Sequence, residues 1–385
     1  MLNNIIKNLV NKSLKNTSYG KIKITYPDNS VYYFGKADDV AEIKFNSWNA
    51  LFTCLSKGDI GLAETYFNNG VSSPDISKLI HFFSFNLDNL QKISRGKNLL
   101  KIIYFIKHLL KRNTINGSKK NITAHYDLGN QFYKLWLDET MTYSSALFDD
   151  KNLSLNDAQK NKYQRILDVI DIKPGERILE IGCGWGGFME YAISKGYEVT
   201  GITISDEQYK YTKKRIEDLS STSKVELIDY RNLNGKFDAV VSIEMFEAVG
   251  KEYWHDYFSK IRTFLKPKKK AIIQTITIDD KYFDMYLKSV DFIQSYIFPG
   301  GLMASDRVIN KLASISELSV IDKKSFAQDY ARTLEIWNKS FQTNWDSIKV
   351  QGFNEKFKKL WMFYLNYCKA GFLSKRINVS QYTLS

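Results

Sequence analysis

Residues 179–187 read Leu-Glu-Ile-Gly-Cys-Gly-Trp-Gly-Gly. A short apolar strand, Arg177 to Ile181, runs into glycines at three alternate positions, Gly182, Gly184 and Gly186, and then into a helix that ends at Gly196. Glycine lets the backbone turn sharply and lets a ligand approach with no Cβ in the way. A plain strand–helix turn does not need three of them at this spacing. Dinucleotide-binding loops use Gly-x-Gly-x-x-Gly; the shorter repeat here tightens the turn. Glu180 stands immediately before the loop, and a carboxylate there suits the amino group of a methionine moiety better than a pyrophosphate.

Outward from this loop the alternation continues. Residues 197–204 predict a strand, Asp206 to Leu219 a helix, and 224–229, 237–243 and 270–277 further strands, with a helix from Tyr253 to Leu265 before the last. Such alternation predicts an α/β fold, a doubly wound and mostly parallel sheet with helices on both faces. Ligands bind to these sheets beyond the carboxyl ends of the strands. The tail, about residues 328–373, reads as helical and aromatic.

The first part of the chain differs. Residues 21–35 alternate around a Pro-Asp-Asn turn and predict short strands, and residues 48–70 predict a helix, a glycine-bounded turn and a second helix. Between residues 96 and 112, Lys97, Lys101, His108 and Lys111 recur at helical spacing among apolar residues. This is a basic amphipathic helix, which either lies in a headgroup layer or packs on its own domain with its lysines in water. Loop composition over 113–121 sets a boundary. It gives a smaller mixed α+β domain over residues 1–118 and a second domain over 119–385.

The net charge of +13 on 385 residues suits an anionic partner, a membrane face or a nucleic acid; a lysine-rich codon bias explains it nearly as well. Cys54, Cys183 and Cys368 have no paired spacing, which points to a reducing compartment. No apolar run is long enough to span a bilayer and no secretory leader opens the chain. The expected location is the cytoplasm, at most peripheral to the inner face of the membrane.

Seven further segments resemble one family, the cyclopropane-fatty-acyl-phospholipid synthases. They are AHYDLGNQFYKLWLDETMTYSSALF (124–148), GITISDEQ (201–208), DYR (229–231), EMFEAVG (244–250), YIFPGG (296–301), DYARTLEIW (329–337) and YLNYCKAGF (364–372). With the glycine loop they run in the family's order. KGDIGLAETYFNNG (57–70) resembles the family's smaller N-terminal domain, so the resemblance covers nearly the whole chain. It implies a seven-stranded, Rossmann-like class I methyltransferase sheet behind an N-terminal lipid- and membrane-interacting domain. The implied cofactor is S-adenosylmethionine, with bicarbonate left open beside it and no metal. The implied reaction is methyl transfer to the double bond of an unsaturated phospholipid acyl chain, giving a cyclopropane or a methyl branch. The implied partners are a phospholipid membrane surface and that acyl chain, with a homodimer left open.

Carried over by position, the resemblance puts Tyr143 and Ser144 against the cofactor from the segment before the sheet. It puts Gly182, Gly184 and Gly186 at the cofactor's methionine end, where the carboxylate of Glu180 is already expected, Thr203, Ser205 and Gln208 near the ribose, and Asp229 and Tyr230 by the adenine. Glu247 and Tyr330 match positions that surround bicarbonate at the family's reaction centre. Cys368 matches a cysteine often labelled catalytic, although methyl transfer from a sulfonium needs no covalent enzyme intermediate, and a small buried hydrophobe accounts for it. The chain departs from the family at three places: Ser145 stands for a cysteine, Gln274 for a histidine and Ala248 for another histidine. Ser145 and Gln274 can still donate hydrogen bonds, but neither titrates near neutrality. The departure favours, slightly, a methyl-branched product over pure cyclopropane, and leaves Glu247 as the expected essential carboxylate. Tyr126, Tyr143, Phe246, Phe298 and Tyr330 are candidates for an aromatic box around a carbocation.

Three rival readings follow from the same residues. A small-molecule N- or O-methyltransferase would share the sheet but has no use for the N-terminal unit. A nucleic-acid methyltransferase that modifies exocyclic amines carries Asp/Asn-Pro-Pro-Tyr/Phe after the fourth strand; here the stretch reads Glu244-Met245-Phe246-Glu247, so nucleic acid is not expected as a partner. A non-catalytic lipid binder would not need the intact glycine loop.

Overall fold

The computed structural model describes residues 2–15, 17–93 and 128–385. The basic segment with Lys97, Lys101, His108 and Lys111, the expected boundary at 118 and Tyr126 all lie outside the described residues.

The N-terminal part opens with α1 (Leu2–Leu14), followed by a hairpin of β1 (Lys21–Thr25) and β2 (Val31–Gly35). Its turn passes through Asn29 at φ 61, a left-handed conformation that asparagine tolerates. β3 (Val40–Phe45) pairs parallel with β1, and β4 (Val71–Ser72) closes the edge, giving the order β2-β1-β3-β4. Ile22, Ile24, Ile43 and Phe45 alternate along β1 and β3 and are buried, as a half-covered sheet requires. α2 (Trp48–Lys57) begins where the Ser47 hydroxyl accepts from the Ala50 amide, and it ends at Gly58, which leads into α3 (Asp59–Phe67). α4 (Ile76–Ile93) completes this part.

After α5 (Asn130–Lys134) and α6 (Leu155–Ile170) comes the large sheet. It contains β5 (Arg177–Ile181), β6 (Glu198–Thr203), β7 (Lys224–Leu227), β8 (Phe237–Ile243), β9 (Leu265–Ile278), β10 (Val320–Ser325) and β11 (Ile377–Leu384). Their order is β10-β11-β9-β8-β5-β6-β7. Strands β7, β6, β5, β8 and β9 are mutually parallel, whereas β11 runs antiparallel to both its neighbours. The expected seven-stranded, mostly parallel, doubly wound sheet is therefore the observed one. The intervening helices are α7 (Gly187–Ser194), α8 (Asp206–Ile216), α9 (Trp254–Phe264), α10 (Asp280–Tyr286) and α11 (Asp306–Ile315), followed by the aromatic α12 (Ala327–Thr343), α13 (Trp345–Val350) and α14 (Glu355–Leu373). Chain order reverses on either side of β5, so the crevice beyond its carboxyl end is the switch point of the sheet.

α14 packs the N-terminal part against the sheet. The Ser84 hydroxyl donates to the Ala370 carbonyl (3.2 Å) and bonds Ser374 Oγ (2.9 Å), and Tyr367 OH donates to Asp59 Oδ2 (2.8 Å), which also accepts from the Phe292 amide (3.1 Å). One apolar core runs through both parts, joining Ile24, Ile43 and Leu79 to Trp337, Trp361 and Phe363.

Candidate active site

The cofactor half of the site is built on the ends of β5 and β6. At Gly184, φ is +55 and an added Cβ would meet nothing within 4 Å, so the loop opens onto free space there. Gly182, Cys183, Gly184, Trp185 and Gly187 line that space, a cavity of about 910 Å³. Gly186 does not. A Cβ there would stand 2.7 Å from Thr212 Cγ2, so this glycine lets α8 pack on the loop. Glu180 lines the cavity from β5, is 3 % exposed, and has Oε2 with no hydrogen-bond partner among the described residues. Burial pushes its carboxyl well up, against the pull of Lys162. An unsatisfied buried carboxylate oxygen beside an open glycine loop fits an ammonium group, so the residues present fit the methionine end of S-adenosylmethionine.

At the end of β6 the Thr203 hydroxyl donates to Gln208 Oε1 (2.9 Å) and accepts from the Ser205 amide (3.2 Å). Thr203 and Gln208 line the cavity; Ser205 does not, because its hydroxyl caps α8 by accepting from the Gln208 amide (3.3 Å). Asp229 and Tyr230 line the far side. Both Asp229 oxygens are engaged by Arg231, at 2.8 Å from Nε and 2.6 Å from Nη2, while the buried Tyr230 hydroxyl has no partner among the described residues. Tyr143 and Ser144 face the cavity from the segment before the sheet. Tyr143 OH bonds Tyr364 OH (2.7 Å), and Ser144 Oγ accepts from Lys162 Nζ (2.9 Å). Lys162 is fully buried on α6, and burial pushes its ammonium pKa down to about 7 despite Glu244, Asp138 and Glu180.

The reaction half lies beyond β8, and here the structure departs from expectation. Ser145, Gln274 and Tyr330 do come together, but on Glu244 and not around Glu247. Glu244 Oε1 accepts from the Ser145 amide (2.9 Å) and from Gln274 Nε2 (2.8 Å), and Oε2 accepts from Tyr330 OH (2.6 Å). Ser145 contributes its backbone N–H alone, since its hydroxyl donates to the Ala146 carbonyl (2.9 Å). Glu247 sits behind, accepting from Thr275 Oγ1 (3.0 Å) and the Ile276 amide (2.5 Å), with Oε2 unpartnered among the described residues. Burial first, and the neighbouring Glu244 second, push its pKa up to about 8. The donors expected to hold bicarbonate thus hold a side chain, so the residues present do not fit that ion. The family resemblance points to Glu247 and not to Glu244; the signal for Glu244 in the sequence is a second carboxylate three residues earlier in the same motif, at a strand end.

Aromatic side chains wall the cavity: Tyr143, Phe298, Tyr330 and Tyr364 line it. Phe246 does not. It is wholly buried against Trp254, Tyr257 and Phe258, part of the core and not of any box. Cys368 lines the cavity, but burial pushes its thiol pKa far up, which leaves no thiolate to act as a nucleophile. Two carboxyls unanticipated from the sequence also border the cavity, Asp59 and the half-buried Asp291, whose pKa burial first and Asp59 second push up to about 7.

A family model, mycolic acid cyclopropane synthetase, matches residues 114–382. The chain belongs to this family. It is an S-adenosylmethionine-dependent methyltransferase, and the resemblance read from its motifs is the family it falls in. It is 33% identical over 390 residues to tuberculostearic acid methyltransferase of Mycobacterium tuberculosis, covering 98% of this chain and 90% of that one. It is 35% identical over 356 residues to cyclopropane-fatty-acyl-phospholipid synthase of Escherichia coli, covering 90% and 88%. Among solved structures, mycolic acid cyclopropane synthase CmaA1 complexed with SAH and CTAB is 30% identical, with a TM-score of 0.65 over 69% of this chain and 97% of that one. The methyltransferase therefore shares its sheet with a solved cyclopropane synthase.

Proposed function

We propose that this methyltransferase adds a methyl carbon to the double bond of an unsaturated acyl chain of a membrane phospholipid. The observation that carries the reading is the extent of this cavity. From the glycine loop it continues past Tyr143, Tyr330 and Glu244 into the N-terminal part, where Ile24, Ile43, Leu51, Leu62, Ile80 and Phe83 line it. The cofactor alone has no use for such an apolar extension. A long hydrocarbon does, at about 0.8 kcal/mol per buried methylene.

Bound S-adenosylmethionine supplies an electrophilic methyl carbon. Everything else falls to the chain. Glu180 and the loop at Gly184 hold and orient the cofactor's amino-acid end. The apolar wall excludes water and sets the alkene in line, so that positioning supplies most of the catalysis. Tyr143, Phe298 and Tyr330 present ring faces to the positive charge left on the acyl chain, each worth about 0.5–2 kcal/mol. A carboxylate at the end of β8 then takes a proton from that cation, and which proton leaves decides between ring and branch.

The N-terminal part is the proposed lipid-presenting domain. Leu9 and Leu55 line the cavity and are also 53% and 43% exposed, so they stand where it meets solvent, and the exposed Ile5 and Phe52 extend the same apolar surface. No helix among the described residues is long and apolar enough to cross a membrane. Peripheral contact through this surface, aided by the net charge of +13, is the proposed route of lipid entry. The test is incubation with mono-unsaturated phospholipid and labelled methyl donor, followed by separation of acyl methyl esters. Label in a cyclopropane or methyl-branched ester is expected; label confined to a head-group amine or a small soluble amine would replace this reading with the small-molecule one.

A further inference from the structure

The methyl-transfer reading just given leaves open which group takes the proton, and the surroundings of Glu244 answer it. We propose that the Glu244 carboxylate is a resident substitute for the bicarbonate ion implied by the family resemblance, so that this enzyme carries its own base and works without the anion. The inference rests on that reading of the reaction and goes beyond it in naming the base.

Three donors converge on this one carboxylate: the Ser145 amide, Gln274 Nε2 and Tyr330 OH, at 2.6–2.9 Å. They occupy both its oxygens. None of the three loses its proton near neutral pH, so the set is built for an acceptor that carries negative charge. The direction of the Gln274 amide is fixed from behind. Its Oε1 accepts from Gln381 Nε2 (3.0 Å), and Gln381 Oε1 accepts in turn from Arg165 Nη1 (2.5 Å). This relay, delivered by β11 and α6, turns Nε2 toward Glu244. A glutamine at 274 is therefore matched to a built-in carboxylate, and the loss of the expected histidine is compensated.

The backbone agrees. Glu244 has φ +49, a left-handed conformation that costs a residue with a Cβ about 1–2 kcal/mol and that glycine adopts freely. A strained residue is kept where glycine would relax, and what it contributes is a side chain aimed into the donor set. Glu247, three residues on, is held as the neutral partner of the pair: burial and the neighbouring Glu244 push its pKa up to about 8, whereas at Glu244 burial also raises the carboxyl but the three hydrogen bonds and Lys162 oppose it. In the step proposed, a C–H bond of the methylated cation breaks. Its electron pair closes the ring or forms the new double bond, and the proton goes to a Glu244 oxygen, neutralising both charges.

Glu244→Gly and Glu244→Gln test this. Glycine relieves the backbone and leaves three donors around a space the size of a carboxylate; glutamine fills the space without the charge. Binding of 13C-bicarbonate, followed by NMR on the protein without cofactor or lipid, should be absent in the wild type and in Glu244→Gln and present at one site in Glu244→Gly. In bicarbonate-free buffer the wild type should keep its full rate. Both variants should fall by about 100-fold or more, and Glu244→Gly alone should recover on adding bicarbonate or formate. Stoichiometric bicarbonate on the wild type, a wild-type rate that needs the ion, or either variant active without an added anion would overturn the proposal. So would a folded, cofactor-binding Glu244→Gly that no anion binds or rescues. If no acyl chain is methylated under any condition, the reading of the reaction fails, while the bicarbonate-binding arm still reports whether Glu244 fills the anion site.

Discussion

Two half-buried carboxyl groups three residues apart put a pH dependence into the end of β8. Glu244 accepts three hydrogen bonds and Glu247 two; burial raises both carboxyls, and at Glu244 its three donors and Lys162 oppose the rise. Glu247 is pushed up to about 8, first by burial and then by the charge of Glu244. A carboxyl whose folded pKa lies above its unfolded one favours the native state while it is protonated. That contribution is complete below the unfolded value, about 4.3 for glutamate, and is lost as pH rises toward 8. Asp291, raised to about 7, acts with the same sign, whereas Lys162, lowered to about 7, acts with the opposite one. The comparison must therefore be made at one residue. Glu247→Gln keeps the shape and removes the titration. Between pH 6 and pH 9 the melting temperature of the wild type should fall further than that of the variant, by on the order of 2–4 °C. Melting curves that stay parallel across that range would place the ionisation elsewhere.

At the scale of elements, the turn between β5 and α7 separates two uses of glycine that look alike in sequence. Gly184 faces open cavity and Gly186 faces Thr212. Gly184→Val should abolish detectable S-adenosylmethionine binding by calorimetry with a loss of stability of only about 1–2 kcal/mol, the cost of a left-handed residue with a Cβ. Gly186→Val should instead lower the melting temperature markedly, because its Cβ must displace α8. Undiminished cofactor binding by folded Gly184→Val would remove the loop from the site. The spacing of the glycines showed that a ligand loop was present; which glycine meets the ligand depends on what packs behind it, and that is set by α8. The parallel strands were legible because each is an apolar run followed by an amphipathic helix. β10 and β11 were not: Val320–Ser325 is largely polar and Ile377–Leu384 half polar, and β11 is nearly all buried because β9 and β10 flank it. The start of β9 was also hidden: the strand expected over 270–277 begins at Leu265 and runs through Pro267 and three lysines. Missing β11 hid Gln381 and with it the orientation of Gln274, so the donor set around Glu244 was beyond any reading of adjacent residues.

For the whole molecule, the question is why a methyltransferase sheet should share its core with a second, smaller sheet. The two are joined through α14, whose Tyr367 reaches Asp59 and whose Ala370 carbonyl accepts from Ser84. The cavity crosses the same junction, and at about 910 Å³ it stands near the upper end of small-molecule pockets. If the N-terminal part serves to hold the length of an acyl chain, filling its portion of the cavity should act on chain length and leave the chemistry alone. Leu62, on α3, is partly buried and lines that portion. Leu62→Trp extends the side chain into the space at an overpacking cost of about 1–3 kcal/mol. It should displace one or two methylenes of a bound chain, each worth about 0.8 kcal/mol. For phospholipids that differ only in the number of carbons on one side of the double bond, kcat/KM should fall by about 4- to 15-fold more for the longest chain than for the shortest. Affinity for S-adenosylmethionine, measured by calorimetry, should stay as in the wild type, because Gly184 and Glu180 lie at the other end of the cavity. An equal loss across all chain lengths would mean that the acyl chain does not run through the N-terminal part, and that the junction is a matter of stability alone.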